Sequence, residues 1–217
     1  MSVWAIVPVK AFAHAKQRLS DVLAPAAREA LSRAMCEHVL GVVAQCRAVD
    51  RALVVTDCCE VERAARELGA QVERDPAGAT LAGVVDHGMM FARFRGAHTA
   101  VAIMSDLPRL TVADVSELIA CAPRADVVVA PDESSAGTNA VRMSHPGRMP
   151  TCFGNDRSFW LHTAAATDRR LVVDAVRTPG LAFDVDDARG YARLRGVETA
   201  FREPRKASRK VVAIRRG

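Results

Sequence analysis

Aromatic residues are scarce in this chain. Two Trp, one Tyr and seven Phe make up 5% of its 217 residues. So few aromatic side chains count against a protein that stacks nucleobases, and no nucleic-acid partner is expected. No run of about 18 apolar residues occurs, so a membrane-spanning helix is not expected either. Six cysteines (36, 46, 58, 59, 121 and 152) include no C-x-x-C pair and no zinc-ligand spacing. They read as reduced thiols of a cytoplasmic protein. The opening MSVWAIVPVK is broken too early by Lys10 to read as a secretory signal. Internal repeats and low-complexity linkers are also missing.

What is there is unevenly charged. The formal net charge is +5, but residues 202–217, REPRKASRKVVAIRRG, carry seven Lys/Arg against one Glu. That stretch accounts for +6 and leaves −1 for the rest. It reads as a basic C-terminal tail appended to a single domain over 1–201, with VVAI at 211–214 able to form a short edge strand. A length of 217 residues suits one sizeable core.

Along the chain, apolar β-rich segments alternate with helical patterns. Strands are expected at 3–9, 51–55, 70–73, 99–104, 125–131, 138–144, 171–177 and 181–186. Helices are expected from Pro25 through Val42, over 61–69 and 81–94, after a Thr111 cap, from Ser158, and over 188–194 after an Asp187 cap. Met35, Phe91 and Phe94 read as core positions only. This alternation predicts an α/β fold with a mostly parallel central sheet flanked by helices. Ligands of such sheets sit at the carboxyl ends of the strands. Segments 8–18, 56–58, 105–108 and 131–139 would therefore share one rim.

The first of these, VPVKAFAHAKQRL, follows the first strand and has no acid among Lys10, Lys16 and Arg18. It lacks the glycines of a phosphate-cradling loop. Side-chain cations must then carry more of the work of holding a polyanion such as a triphosphate. The alternative is a solvated charged loop. Asp106 ends the strand before SDLP. Asp184 and Asp186 in LAFDVDD project to one side of an extended chain. Two adjacent carboxylates repel unless a cation lies between them, and hard oxygen ligands completed by water and phosphate suit Mg²⁺. In APDESSAGTNA, Thr138 and Asn139 offer donors. In CFGNDRSFWLH, Gly154 makes a turn and Ser158 heads a helix, as an anion site or an ordinary N-cap. His162, one turn on, reads as a packing or capping residue.

VPVK with AKQRL, SDLP, APD…GTNA, FG…SF and PGLAFDVD, in this order, resemble the guanylyltransferases of coenzyme F-420 biosynthesis. Those enzymes are relatives of the molybdenum-cofactor guanylyltransferases. The resemblance runs to about residue 195. It implies a Rossmann-like nucleotidyltransferase fold and transfer of GMP from GTP to a small phosphorylated acid, with release of pyrophosphate. The acceptors it implies are 2-phospho-L-lactate, phosphoenolpyruvate or 3-phospho-D-glycerate. By the same resemblance Asp106, Asp184 and Asp186 are Mg²⁺ ligands. Thr138, Gly154 and Ser158, with neighbouring Asn139, face the acceptor. Pro8, Val9, Lys10, Lys16, Arg18, Leu81 and Asp106 face the nucleotide, and Lys10, Lys16 and Arg18 are the catalytic cations.

Two departures stand out. Leu81-Ala82 replaces the family's Leu-Asn, and three residues rather than two separate FG from SF. The extra residue reshapes the acceptor loop and favours 3-phospho-D-glycerate. Two rival readings remain: a sugar-nucleotide-dependent glycosyltransferase, and a nucleic-acid binder acting through the basic tail. The sequence leaves the oligomeric state open, a homodimer included.

Overall fold

The computed structural model describes residues 2–196. Seven strands form one sheet: β1 (Val3–Pro8), β2 (Arg51–Thr56), β3 (Gln71–Arg74), β4 (Thr99–Ile103), β5 (Val127–Pro131), β6 (Thr138–Ser144) and β7 (Val173–Ala175). Their order is β3-β2-β1-β4-β6-β5-β7. β1 pairs in parallel with β2 and β4, with Ile6 opposite Leu53 and Ala102. β6 alone is reversed, lying antiparallel to β4 and β5. This reversal matters for the site, because the beginning of β6 lies at the rim where the other strands end.

The helices are α1 (Pro25–Gln45), α2 (Cys59–Glu67), α3 (Leu81–Phe94), α4 (Val112–Ala120), α5 (Ser158–Asp168), α6 (Pro179–Ala182) and α7 (Ala188–Leu194). Alternate residues of the central strands enter two separate cores, as a period of two requires. Ala5, Val7, Val54, Val101 and Ile103 pack with α1, α2 and α4. Trp4, Ile6, Leu53, Val55 and Ala102 pack with α3 and α5. Covering both faces explains why the strands read as continuous apolar runs. Gly88 sits inside α3 because the helix lies against the sheet there. A Cβ on it would come within 2.7 Å of Ile6 Cγ2 and 3.0 Å of Val55 Cγ2.

Thr111 caps α4 through a capping box with Asp114, and Asp187 caps α7 by accepting from the Gly190 N–H. Ser158 heads α5 as expected; Arg157 occupies the N-cap position, so of the two readings of Ser158 the N-cap one does not hold. Two further expectations fail. Residues 181–186 are not a sheet strand, since Thr178 and Pro179 start the helical turn α6 over 179–182. Phe94 is 81% exposed, because it falls off the buried stripe 84, 85, 88, 89 and 92. Phe91 is partly buried and meets Trp4 edge-on at 6.3 Å. Among the described residues no helix is long and apolar enough to cross a membrane. The basic tail, the VVAI segment and the 201/202 boundary lie outside the described residues.

Candidate active site

β1 brings Pro8 and Val9 to the rim buried, and Lys10 emerges exposed. Two 3₁₀ turns follow, at 12–14 and 17–19, anchored by buried Phe12 and Leu19. Between them Lys16 adopts φ 54°, ψ 42°. This left-handed conformation costs a non-glycine residue about 1 kcal/mol. Nζ of Lys16 donates to Asp106 Oδ2 at 2.6 Å and to Asp186 Oδ1 at 2.8 Å. Only 9% of the Lys16 side chain is exposed. Backbone strain spent on aiming one cation is a common property of functional loops.

The segment 183–186 reaches the first loop through a small core of its own. Leu19, Met35, Phe183 and Val185 are buried together. Phe183 and Val185 point into that cluster, so alternation turns Asp184 and Asp186 toward the cavity although the segment pairs with no strand. Arg109 covers the Phe183 ring at 3.9 Å and Arg193 approaches it at 5.0 Å. Arg193 also pairs with Glu133, tying α7 to the 132–137 turn. Asn139 donates to the carbonyls of Leu181 (2.9 Å) and Ala182 (3.4 Å). Its amide therefore holds the chain that carries Asp184.

The charges here are strongly coupled. Burial, then repulsion from Asp186 and Asp106, pushes the Asp184 carboxyl up to about 6. Burial also acts upward on Asp186, but the Lys16 ammonium and its hydrogen bond outweigh it and hold Asp186 below the usual carboxylate range. Burial disfavours the charged form of Lys16, yet Asp106 and Asp186 hold its pKa above the ordinary lysine value. It remains an ammonium ion at any working pH.

On the opposite wall, Thr138 opens β6 and is buried, with its hydroxyl 3.2 Å from His162 Nδ1. Gly154 has φ +83°, and a Cβ there would come within 3.3 Å of Leu81 Cβ. A side chain at 154 would therefore be strained and would crowd the nucleotide side. Ser158 is buried, and its N–H donates to the Asn155 carbonyl at 3.0 Å. One cavity of about 710 Å³ is lined by every residue that the sequence placed in the candidate site. These are Pro8, Val9, Lys10, Lys16, Arg18, Leu81, Asp106, Thr138, Asn139, Gly154, Ser158, Asp184 and Asp186. The volume lies within the usual range for small-molecule sites.

Sequence reasoning missed several contributors. Met35, read as core only, also lines this cavity beside Ser32, one helical turn earlier. Their α1 periodicity gave no sign of it. Asp132 shapes the 132–137 turn by accepting from the Ser134 hydroxyl at 2.9 Å and the Ala136 N–H at 3.0 Å. Its position at a strand end, like that of Asp106, was an available signal.

The three aspartates line one cavity, and after burial it is Asp186 and Asp106 that disfavour the charged form of Asp184. Among the described residues, however, no three His, Cys, Asp or Glu side chains form a ready-made cage for an ion. The ammonium of Lys16 pairs with two of the carboxylates instead. This donor set fits an ion such as Mg²⁺ that completes its shell with water and substrate phosphates, rather than one held by protein alone.

The sheet order with one reversed strand, together with this rim, defines the class: a Rossmann-like nucleotidyltransferase fold. The solved CMP:2-keto-3-deoxy-manno-octonic acid synthetase in complex with CTP has the same fold. Its TM-score is 0.62 at 13% identity, covering 91% of this chain and 98% of that one. The family is narrower. The Guanylyl transferase CofC like family matches residues 3–203, and the chain belongs to it. The phosphoenolpyruvate guanylyltransferase of Sphaerobacter thermophilus is 35% identical over 196 residues, 90% of this chain and 94% of the relative. The 2-phospho-L-lactate guanylyltransferase of Methanothermobacter thermautotrophicus is 37% identical over 219 residues, covering 100% and 96%.

Proposed function

We propose that this guanylyltransferase joins the GMP moiety of GTP to the phosphate of phosphoenolpyruvate or 2-phospho-L-lactate, as in coenzyme F-420 biosynthesis, and releases pyrophosphate. The observation that carries this reading is one shared cavity. It joins the cations of the first loop, three convergent aspartates and the Thr138–Ser158 wall. The names of the relatives above are phosphoenolpyruvate and 2-phospho-L-lactate guanylyltransferase. Neither supports the 3-phospho-D-glycerate preference drawn from the extra residue in the 155–157 turn.

The chemistry asks little of the protein beyond position and charge. A phosphate oxygen of the acceptor attacks the α-phosphorus of GTP in line. The bond from the α-phosphorus to the β-bridging oxygen breaks, and pyrophosphate leaves with the electron pair. No proton has to be removed from the nucleophile, in keeping with a site that needs no hydroxyl–imidazole pair for it. Lys10 and Arg18 bind the β- and γ-phosphates from the open side. Lys16 turns from the aspartates to the phosphates as the nucleotide enters, stabilising the charge that grows on pyrophosphate. Pro8, Val9 and Leu81 give the nucleotide an apolar wall. Thr138, Gly154 and Ser158 hold the acceptor against it. Asp106, Asp184 and Asp186 would hold Mg²⁺, which supplies charge screening between the two anionic substrates.

The test is a pyrophosphate-release assay. It pairs GTP, ATP, CTP and UTP with phosphoenolpyruvate, 2-phospho-L-lactate and 3-phospho-D-glycerate, with and without Mg²⁺. Release is expected only with GTP plus one of the first two acids, and only with the metal. Equal release with any nucleotide, or release without an acceptor, overturns the reading.

A further inference from the structure

His162 belongs to α5, one turn past Ser158, and is completely buried. Both ring nitrogens are engaged with the wall of the acceptor half. Nε2 accepts the backbone N–H of Cys152 at 2.8 Å. Nδ1 lies 3.2 Å from Thr138 Oγ1, and the Ser158 backbone also hydrogen-bonds the ring. The Phe153 ring packs edge-on against the imidazole, with centroids 4.9 Å apart. One side chain thus ties together the start of β6, the turn before Gly154 and the first turn of α5.

The tautomer follows from donor and acceptor chemistry. A backbone N–H can only donate, so Nε2 must offer its lone pair and carry no proton. A neutral imidazole then holds its proton on Nδ1. Burial lowers the His162 pKa to about 4, so the ring is neutral at working pH. With a proton on Nδ1, neither ring nitrogen has a lone pair free for the Thr138 hydroxyl, which therefore cannot donate to the ring. Among the described residues His162 is the only side-chain partner of the Thr138 hydroxyl. The hydroxyl proton is therefore left for the cavity that Thr138 lines.

We propose that His162 is a positioning residue. Held as the Nδ1–H tautomer by Cys152, it offers the Thr138 hydroxyl no lone pair to donate to, so that proton stays available for an anionic group of the acceptor. The proposal rests on the guanylyltransferase reading of this cavity and adds the orientation of one donor. A hydroxyl that could donate to the ring would have its proton engaged inside the wall. One that cannot keeps its proton for a ligand oxyanion, as a phosphorylated acid provides.

Two measurements test it. The first needs no turnover: ¹⁵N chemical shifts of the His162 ring in the wild-type protein. A protonated Nδ1 and a bare Nε2 are expected, and a proton on Nε2 overturns the proposal. The second is steady-state kinetics of His162→Gln, Thr138→Val and Thr138→Ser. His162→Gln and Thr138→Val should each raise the acceptor KM by roughly 10- to 100-fold, the worth of a hydrogen bond to a charged group, with the KM for GTP unchanged. Thr138→Ser should restore the acceptor KM, and the His162→Gln/Thr138→Val pair should lose little beyond either single change. If His162→Gln does not fold, the Thr138 pair and the ring shifts still decide. Equal rises in both KM values, or Thr138→Val with wild-type acceptor KM, overturn the proposal. Wild-type protein that uses no phosphorylated acid at all would instead overturn the guanylyltransferase reading and leave the tautomer standing.

Discussion

Asp184→Asn should stabilise the metal-free protein while removing its activity. The carboxyl of Asp184 lies at about 6 rather than 3.8, through burial first and then repulsion by Asp186 and Asp106. Because the folded value is the higher one, the folded state binds a proton more tightly between those two values. Stability from this group is therefore present at low pH, declines as pH rises from 3.8 to about 6, and is flat above. The rise from 3.8 to about 6 corresponds to about 3 kcal/mol as a ceiling. An amide at the same place still gives up some hydration, so roughly 1–2 kcal/mol should be recovered at pH 8. For a chain of this size that is a rise in Tm of about 2–8 °C. Lys16 keeps both its partners, Asp106 and Asp186, in the variant, so the first loop stays anchored. Thermal unfolding in EDTA at pH 5 and pH 8 measures the effect, with the larger gain expected at pH 8. A variant less stable than wild type at pH 8, or a gain that ignores pH, would refute the charge-repulsion argument. Adding Mg²⁺ with GTP should close the gap, since only the wild type gains the full binding free energy.

Other perturbations probe the fold and the first loop. Lys16→Ala leaves Asp106 and Asp186 without their counter-ion. It should lower stability by about 1–3 kcal/mol in denaturant titrations and cut GTP turnover at least 100-fold in steady-state kinetics; an active, equally stable variant would remove Lys16 from the site. Gly88→Ala gains about 1 kcal/mol of helix propensity. It also drives a methyl to 2.7 Å from Ile6 Cγ2, a strain of about 1–3 kcal/mol, so a lower Tm is expected and an unchanged or higher one contradicts the packing. His162 titrates at about 4 against 6.5 in the unfolded chain. Its contribution is present above pH 6.5 and lost as pH falls toward 4, and His162→Gln should flatten that part of the stability profile; parallel wild-type and variant curves would contradict it.

The α/β class, most strand positions and the rim were legible because buried strands announce themselves as apolar runs and ligands gather at their carboxyl ends. Asp184 and Asp186 both line the cavity, but for a reason the pattern could not reveal. Phe183 and Val185 alternate into a private core with Leu19 and Met35, not into the sheet. That core depends on contacts far apart in sequence. So does the pairing of Lys16 with two of the aspartates, for nothing in VPVKAFAHAKQRL indicates that Lys16 turns inward while Lys10 and Arg18 remain outside. Asn139 looked like an acceptor donor because its amide follows Thr138. Its hydrogen bonds to residues 181 and 182 are visible only once β6 is seen running backwards beside β4.

The central claim, that an acceptor phosphate oxygen attacks the α-phosphorus of GTP in this cavity, is tested most directly with ¹⁸O placed in the phosphate of phosphoenolpyruvate or 2-phospho-L-lactate. After turnover with GTP, ³¹P NMR and mass spectrometry should find the label in the new P–O–P bridge of a guanylylated acid, with unlabelled pyrophosphate beside it. Label in the pyrophosphate, or GTP consumed with no guanylylated acid formed, would contradict it.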